Sequence, residues 1–196
     1  MKILVIRLRL IGDVVFTTPA VAALRRRYPD AHLTYLVERA AEPVVRHNPH
    51  LDRVLVAERP RGVRRFFYDA ALAARLRRER FDLVIDFHGG PRSALLARAT
   101  GAPRRIGYDV PGRGWAYTDR LPWSRALVPP RHSVENQWDL LRPLGVDPPA
   151  AGDPPVAMPV DERAAAGVDR RLRAAGVPAD APLVVMHVSA GNPFRR

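Results

Sequence analysis

The chain contains no cysteine. Disulfides, thiolate zinc sites and cysteine nucleophiles are therefore excluded together. Lysine is nearly absent as well: of the 32 basic residues only Lys2 is a lysine, and the rest are arginines. No apolar run reaches the roughly 18 uncharged residues that a membrane-spanning helix needs. The opening residues carry Arg7 and Arg9 in or beside a short apolar stretch. They lack the longer apolar segment and small-residue cleavage site of a secretory leader, so a cytoplasmic location is expected. No repeat of solenoid period is present. An Asp-x-Asp motif is also missing, and with it one common way of holding a divalent metal.

What is present is a core and a charge. With 196 residues, 47% of them hydrophobic, the chain can form one good domain or one and a fraction. The net charge is +12. Residues 1–100 hold 19 basic and 10 acidic side chains, residues 101–196 hold 13 and 10, so the first half carries +9 of the excess. Arg59, Arg61, Arg64 and Arg65 cluster before or at the start of one helical pattern, and Arg75, Arg77, Arg78 and Arg80 at its end. Such a charge attracts polyanions: nucleic acid, an anionic membrane, or phosphorylated and carboxylated substrates.

Periodicity predicts a βα alternation. Strands are expected at 2–8, 32–37, 53–57, 82–87 and 104–107, with helices at about 14–28, 39–47, 64–80 and 92–100 between them. Leu83-Val84-Ile85 and Val54-Leu55-Val56 are unbroken apolar runs, as strands buried on both faces require. Phe67, Ala70, Ala71 and Ala74 form an apolar stripe opposite the arginines of their helix. This pattern predicts a doubly wound parallel sheet. Residues 108–131 read as long loops around a short strand near 119–122. A helix follows from Ser133, an N-cap candidate, to Leu144, with Gly145 as its stop. Residues 147–159 hold five prolines and read as a linker. A helix over about 161–175 and a strand at 183–187 come after it.

Asp13 stands just past the first strand, next to Gly12, at the sheet edge where open α/β folds bind ligands. Two readings stand. Asp13 caps a helix by accepting an amide near Val15 or Phe16, or its carboxylate works as a general base.

The string Ile11-Gly12-Asp13-Val14, Thr17-Thr18-Pro19-Ala20, Leu24-Arg25 and Tyr28-Pro29 resembles the opening of family 9 glycosyltransferases. These are the bacterial heptosyltransferases of lipopolysaccharide core synthesis and their relatives. The likeness covers the whole chain and is strongest at 1–29, 82–97 and 183–196. It implies a GT-B architecture of two Rossmann-like domains. Residues 1–146 would form the N-terminal acceptor-binding domain, 147–160 the linker, and 161–196 the start of a C-terminal nucleotide-sugar domain. The chain then reads as a fragment, with little or no turnover expected from it alone. In this family the Asp matching Asp13 is the proposed general base.

The stretch Asp86-Phe87-His88-Gly89-Gly90-Pro91-Arg92-Ser93 has a family counterpart. The resemblance would place Asp86, His88 and Arg92 in the same acceptor cleft. Equally, Asp86 is a satisfied structural carboxylate and His88 a loop residue. For Arg92, bidentate binding of a phosphate or carboxylate is the favoured reading. His132, before Val134-Glu135, either lines the acceptor site or caps a helix. Ser189 and the amides near Ala190 and Gly191 would cradle a diphosphate. Arg195 matches a family lysine that contacts donor phosphate, with the register open by one residue.

The resemblance implies inverting transfer of heptose or a related sugar. The donor would be a nucleotide-sugar, ADP-heptose, and the acceptor an anionic lipid-linked saccharide, with peripheral association at the inner membrane surface. Arg61, Arg64 and Arg65 would receive the acceptor. No cofactor and no metal are expected. The rival from another class is a basic nucleic-acid-binding α/β domain without activity, though RNP, helix-turn-helix and zinc-finger patterns are missing. A Rossmann dehydrogenase is disfavoured, because Gly12 lies outside any Gly-x-Gly-x-x-Gly string.

Overall fold

The structure, a computed structural model, describes residues 1–123, 132–147 and 156–186. It divides into two compact units, Met1–Pro159 and Val160–Arg196. The first holds a six-stranded sheet of β1 (Lys2–Ile6), β2 (His32–Glu38), β3 (Arg53–Ala57), β4 (Leu83–Asp86), β5 (Arg104–Asp109) and β6 (Asp119–Pro122). The spatial order is β3-β2-β1-β4-β5-β6, with every pair parallel. This is the α/β, Rossmann-like sheet that the periodicity predicts.

The apolar runs become central strands because both faces of the sheet are covered. Ile3, Leu4, Val5 and Ile6 are all 0% exposed. Ile3 and Val5 point into one core with α1 (Ile11–Val15), α2 (Thr18–Arg27), α3 (Glu42–Val45) and α6 (Ser133–Trp138). Leu4 and Ile6 point into a second core with α4 (Arg64–Arg78) and α5 (Pro91–Ala99). Strand order reverses at β1, which pairs with β2 on one side and β4 on the other. The loops leaving β1 and β4 therefore diverge and leave a crevice between them.

Three local differences from expectation have physical causes. The helix expected at 14–28 is two helices, α1 and α2. Pro19 has no N–H to offer the Val15 carbonyl. Thr18 Oγ1 donates to that carbonyl instead, at 2.9 Å, and Thr17 Oγ1 donates to the Val14 carbonyl at 2.6 Å. In α4 the buried positions are Leu72 and Leu76, with Tyr68 and Ala73 packed beside them. The expected stripe of Phe67, Ala70, Ala71 and Ala74 faces outward. Third, α6 is capped by His132, not by Ser133, and closes through a 3-10 turn, Asp139–Leu144, onto Gly145 at φ 67°.

The second unit contains α7 (Glu162–Ala174), whose N-cap Asp161 accepts from the amides of Arg163 and Ala164 at 2.9 and 3.2 Å. The expected strand at 183–187 is not formed over its described residues. Leu183, Val184, Val185 and Met186 are 58–92% exposed, with no ladder partner among the described residues. An apolar segment becomes a stable strand only beside another strand.

Candidate active site

The site is built where β1 ends. Asp13 is the third residue of α1, whose N-cap is Leu10. The amides of Val14 and Phe16 are already bonded to the carbonyls of Leu10 and Gly12. The Asp13 carboxylate instead reaches back from the third helical position to the Leu10 N–H at 3.4 Å, so the capping role survives as one half of a capping box. Its main partner is the Arg7 guanidinium, in a close ion pair. Arg7 also donates to the carbonyl of Phe87, tying the end of β1 to the loop after β4. From the other side Gln137 Nε2 donates to the Asp13 carbonyl at 3.3 Å. The Asp13 side chain stays 32% exposed. It opens on a cavity of about 270 Å³ lined also by Arg7, Phe87, His88, Tyr108, Trp123, Ser133, Asn136 and Gln137.

The loop after β4 is organised by Asp86, which is 0% exposed. One carboxylate oxygen accepts the amides of His88 and Gly89 at 2.8 and 3.1 Å, a short Asx-type turn. The other accepts the Tyr117 hydroxyl at 2.7 Å. Tyr117 reaches it by lying on the backbone of Gly107, where any Cβ would meet its ring. Burial raises the Asp86 pKa, while bonds from Tyr117, Ser93 and the two amides pull it back. Gly89 takes φ 61°, a conformation that suits glycine. The His88 ring then folds over Gly90, whose added Cβ would come within 2.7 Å of it. Asp86 thus shapes the cleft from behind. The expectation that it binds acceptor directly is corrected, because both of its oxygens are buried and engaged.

Arg92 borders a second cavity, but the free bidentate contact expected of it is corrected, because its guanidinium is already engaged. Its guanidinium is spent on Asp69 at 2.6 and 3.0 Å, Glu38 at 3.1 Å and the Glu58 carbonyl at 2.7 Å. The residue is 9% exposed and ties β2, α4 and α5 together. His132 takes the capping alternative: its Nδ1 accepts the Val134 amide at 3.3 Å, and its ring meets Phe16 edge-on at 5.3 Å. Arg61 and Arg64 are exposed, and Arg65 lies 3.6 Å from Asp69. Arg65, Arg59, Arg9, His88, Arg92 and the acidic Glu38 line this second cavity, of about 220 Å³. His88 therefore belongs to both cavities. Ser189, Ala190, Gly191 and Arg195 lie outside the described residues.

Electrostatics single out His88. Burial, with Arg7 and Arg9 nearby, pushes its pKa down to about 4, so the ring is neutral near pH 7. Its Nδ1, Arg7 Nε and Gln137 Oε1 are buried without a hydrogen-bond partner, and all three residues line the Asp13 cavity. Buried polar atoms are rarely left so, and the three residues that carry them border one cavity. Among the described residues no group of three or more His, Cys, Asp or Glu is arranged to hold a metal ion.

Sequence reasoning missed Arg7 and Gln137 as site residues. Arg7 did leave a signal, a charge at the end of an otherwise apolar buried strand. Gln137 left none: it arrives from a helix 124 residues away.

In sequence and in fold the chain is similar to known proteins. The model of glycosyltransferase family 9 (heptosyltransferase) matches residues 70–194. A lipopolysaccharide heptosyltransferase 3 from Escherichia coli is 29% identical over 150 residues, which is 71% of this chain and 42% of that protein. The chain thus spans less than half the length of this curated relative. In fold, a glycosyl transferase family 9 structure from Veillonella parvula superposes with a TM-score of 0.85 at 22% identity, over 98% of this chain and 55% of that one. An E. coli heptosyltransferase solved with ADP-2-deoxy-2-fluoro heptose gives 0.64 at 22% identity, over 78% and 51%.

Proposed function

The chain belongs to glycosyltransferase family 9, the heptosyltransferase family, and from that premise we propose that it is the acceptor-binding part of an inverting sugar transferase. The observation that carries this reading is the Asp13 carboxylate: oriented by Arg7, 32% exposed, and opening on a cavity bordered by His88 and Gln137. The donor is a nucleotide-sugar of the ADP-heptose type, by analogy with the relative solved with an ADP-heptose derivative. The acceptor is an anionic lipid-linked saccharide of the lipopolysaccharide-core kind.

Chemically, Asp13 takes the proton of an acceptor hydroxyl as its oxygen attacks the anomeric carbon. The bond from that carbon to the diphosphate breaks on the opposite face, and the nucleoside diphosphate leaves with the electron pair. One displacement inverts the configuration and needs no enzyme nucleophile. Arg7 orients the carboxylate. Neutral His88 and the Gln137 amide provide hydrogen bonds for sugar hydroxyls. In this reading residues 1–146 are the acceptor domain, 147–160 the linker, and 161–196 open the donor domain. Ser189, Ala190, Gly191 and Arg195 then meet the departing diphosphate, and no metal is required. Arg61, Arg64 and Arg65 receive the negative charge of the acceptor.

The test is transfer from ADP-heptose to a Kdo–lipid A acceptor by the protein carried through a complete donor domain, beside Asp13→Asn. Transfer that collapses in the variant with folding intact supports the assignment. Transfer that survives removes Asp13 as the base.

A further inference from the structure

The first turns of α4 carry an apolar group that nothing in the described chain covers. Val63, Phe66 and Phe67 are 71%, 72% and 67% exposed. Their spacing places them on one helix face, and the two phenyl rings contact edge to face at 5.8 Å. The helix does not need this face for its own packing. Leu72 and Leu76 fill the core side, and the Tyr68 hydroxyl accepts the Glu58 amide at 2.8 Å.

The charges around the group are of one sign. Arg59, Arg61 and Arg64 are exposed beside it, and no acidic residue occurs between Glu58 and Asp69. Those two acids are themselves engaged, Glu58 by Arg39 and Asp69 by Arg92. A second copy docking face to face would oppose arginine to arginine. An anionic lipid surface instead offers phosphates to the guanidinium groups and a hydrocarbon boundary to the rings, the combination that amphipathic interfacial helices exploit.

We infer that Val63, Phe66 and Phe67, with the exposed Arg59, Arg61 and Arg64 of the same segment, form a wedge that docks this domain on an anionic bilayer. The wedge lies on the same sheet edge as Asp13, since α4 follows the carboxyl end of β3. Arg59 also lines the second cavity, with Arg65, Arg9, Arg92, Glu38 and His88. His88 borders the Asp13 cavity too. The inference rests on the proposed lipid-linked acceptor for its purpose. Its test uses neither donor nor acceptor, so each can fail without the other.

The experiment is sedimentation of the 196-residue chain with vesicles of phosphatidylglycerol and phosphatidylethanolamine, beside vesicles of phosphatidylcholine alone. The expected result is binding to the anionic vesicles that weakens with salt, and little to the neutral ones. Phe66→Ser/Phe67→Ser should lower the vesicle affinity by about tenfold or more, with an unchanged thermal melt because both rings are exposed. Arg61→Ser/Arg64→Ser should lower it and flatten the salt dependence. No binding to anionic vesicles overturns the inference. Binding unaffected by the phenylalanine changes overturns it as well, since charge alone would then suffice. A dimer in solution that the phenylalanine changes dissolve assigns the face to a second copy and also overturns it.

Discussion

Two aspartates end neighbouring strands of the sheet and meet opposite fates. Asp86 is the last residue of β4, in register with Ile6 of β1, and Asp13 follows β1 a few residues later. Asp86 is fully buried, with both oxygens bonded to Tyr117 and the loop amides. Asp13 is partly open, held by one guanidinium and one distant amide. A carboxylate saturated from within the protein builds the loop; one oriented but unsaturated is available to a substrate. The same contrast separates Arg92, clamped by two acids and a carbonyl, from the exposed Arg61 and Arg64.

The largest effect that sharpens this contrast is on rate. Asp13→Asn in a protein with its donor domain should lower transfer by about 10²–10⁴-fold, as for loss of a general base. Thermal unfolding of the same variant should move less than that of Asp86→Ala, because the amide oxygen can still accept from Arg7 and from the Leu10 N–H. Asp86→Ala reverses the pattern. It strands the Tyr117 hydroxyl and two loop amides, so urea unfolding should show a loss of about 2–4 kcal/mol. If Asp13 proved the more costly to stability and Asp86 the more costly to rate, the two assignments would exchange.

His88 gives a smaller, pH-dependent effect. Its folded pKa of about 4 lies below the ordinary imidazole value. The unfolded chain therefore protonates first as pH falls, and stability drops between about pH 6.5 and pH 4. Unfolding followed at both ends of that window should show His88→Asn removing roughly 1–3 kcal/mol of the drop. His50, held down by burial and by Arg25 and Arg26, leaves part of the slope in place. The smallest effect expected is a several-fold rise in acceptor KM when Arg61, Arg64 and Arg65 are changed to Glu. An unchanged KM would remove these arginines from acceptor binding.

Much of the fold was legible because its signals are local. The strand positions follow from apolar runs too short for helices, and α7 lies within the helical pattern at about 161–175. The Asp13 segment was legible as a motif after a strand. The α4 stripe was misread for a definite reason: on an alanine- and arginine-rich helix, Phe67 with the alanines makes as good a stripe as Leu72 with Leu76. Only contact with the sheet decides which one is buried. The segment 183–186 was legible as apolar but could not become a strand without a neighbour. Gln137 and Tyr117 reach the site across long sequence separations, which no local pattern encodes.

The order of apolar and polar residues by itself determined the βα alternation, the parallel sheet and the placement of Asp13 at its binding edge, because each depends on a few consecutive side chains and their period. Only the tertiary structure decided which carboxylate is open and which arginine is spent. It also decided that Arg7, His88 and Gln137 converge on one cavity. Those outcomes depend on burial and on hydrogen-bond partners drawn from distant parts of the chain, and a charged side chain acquires its role only when its partners are in place.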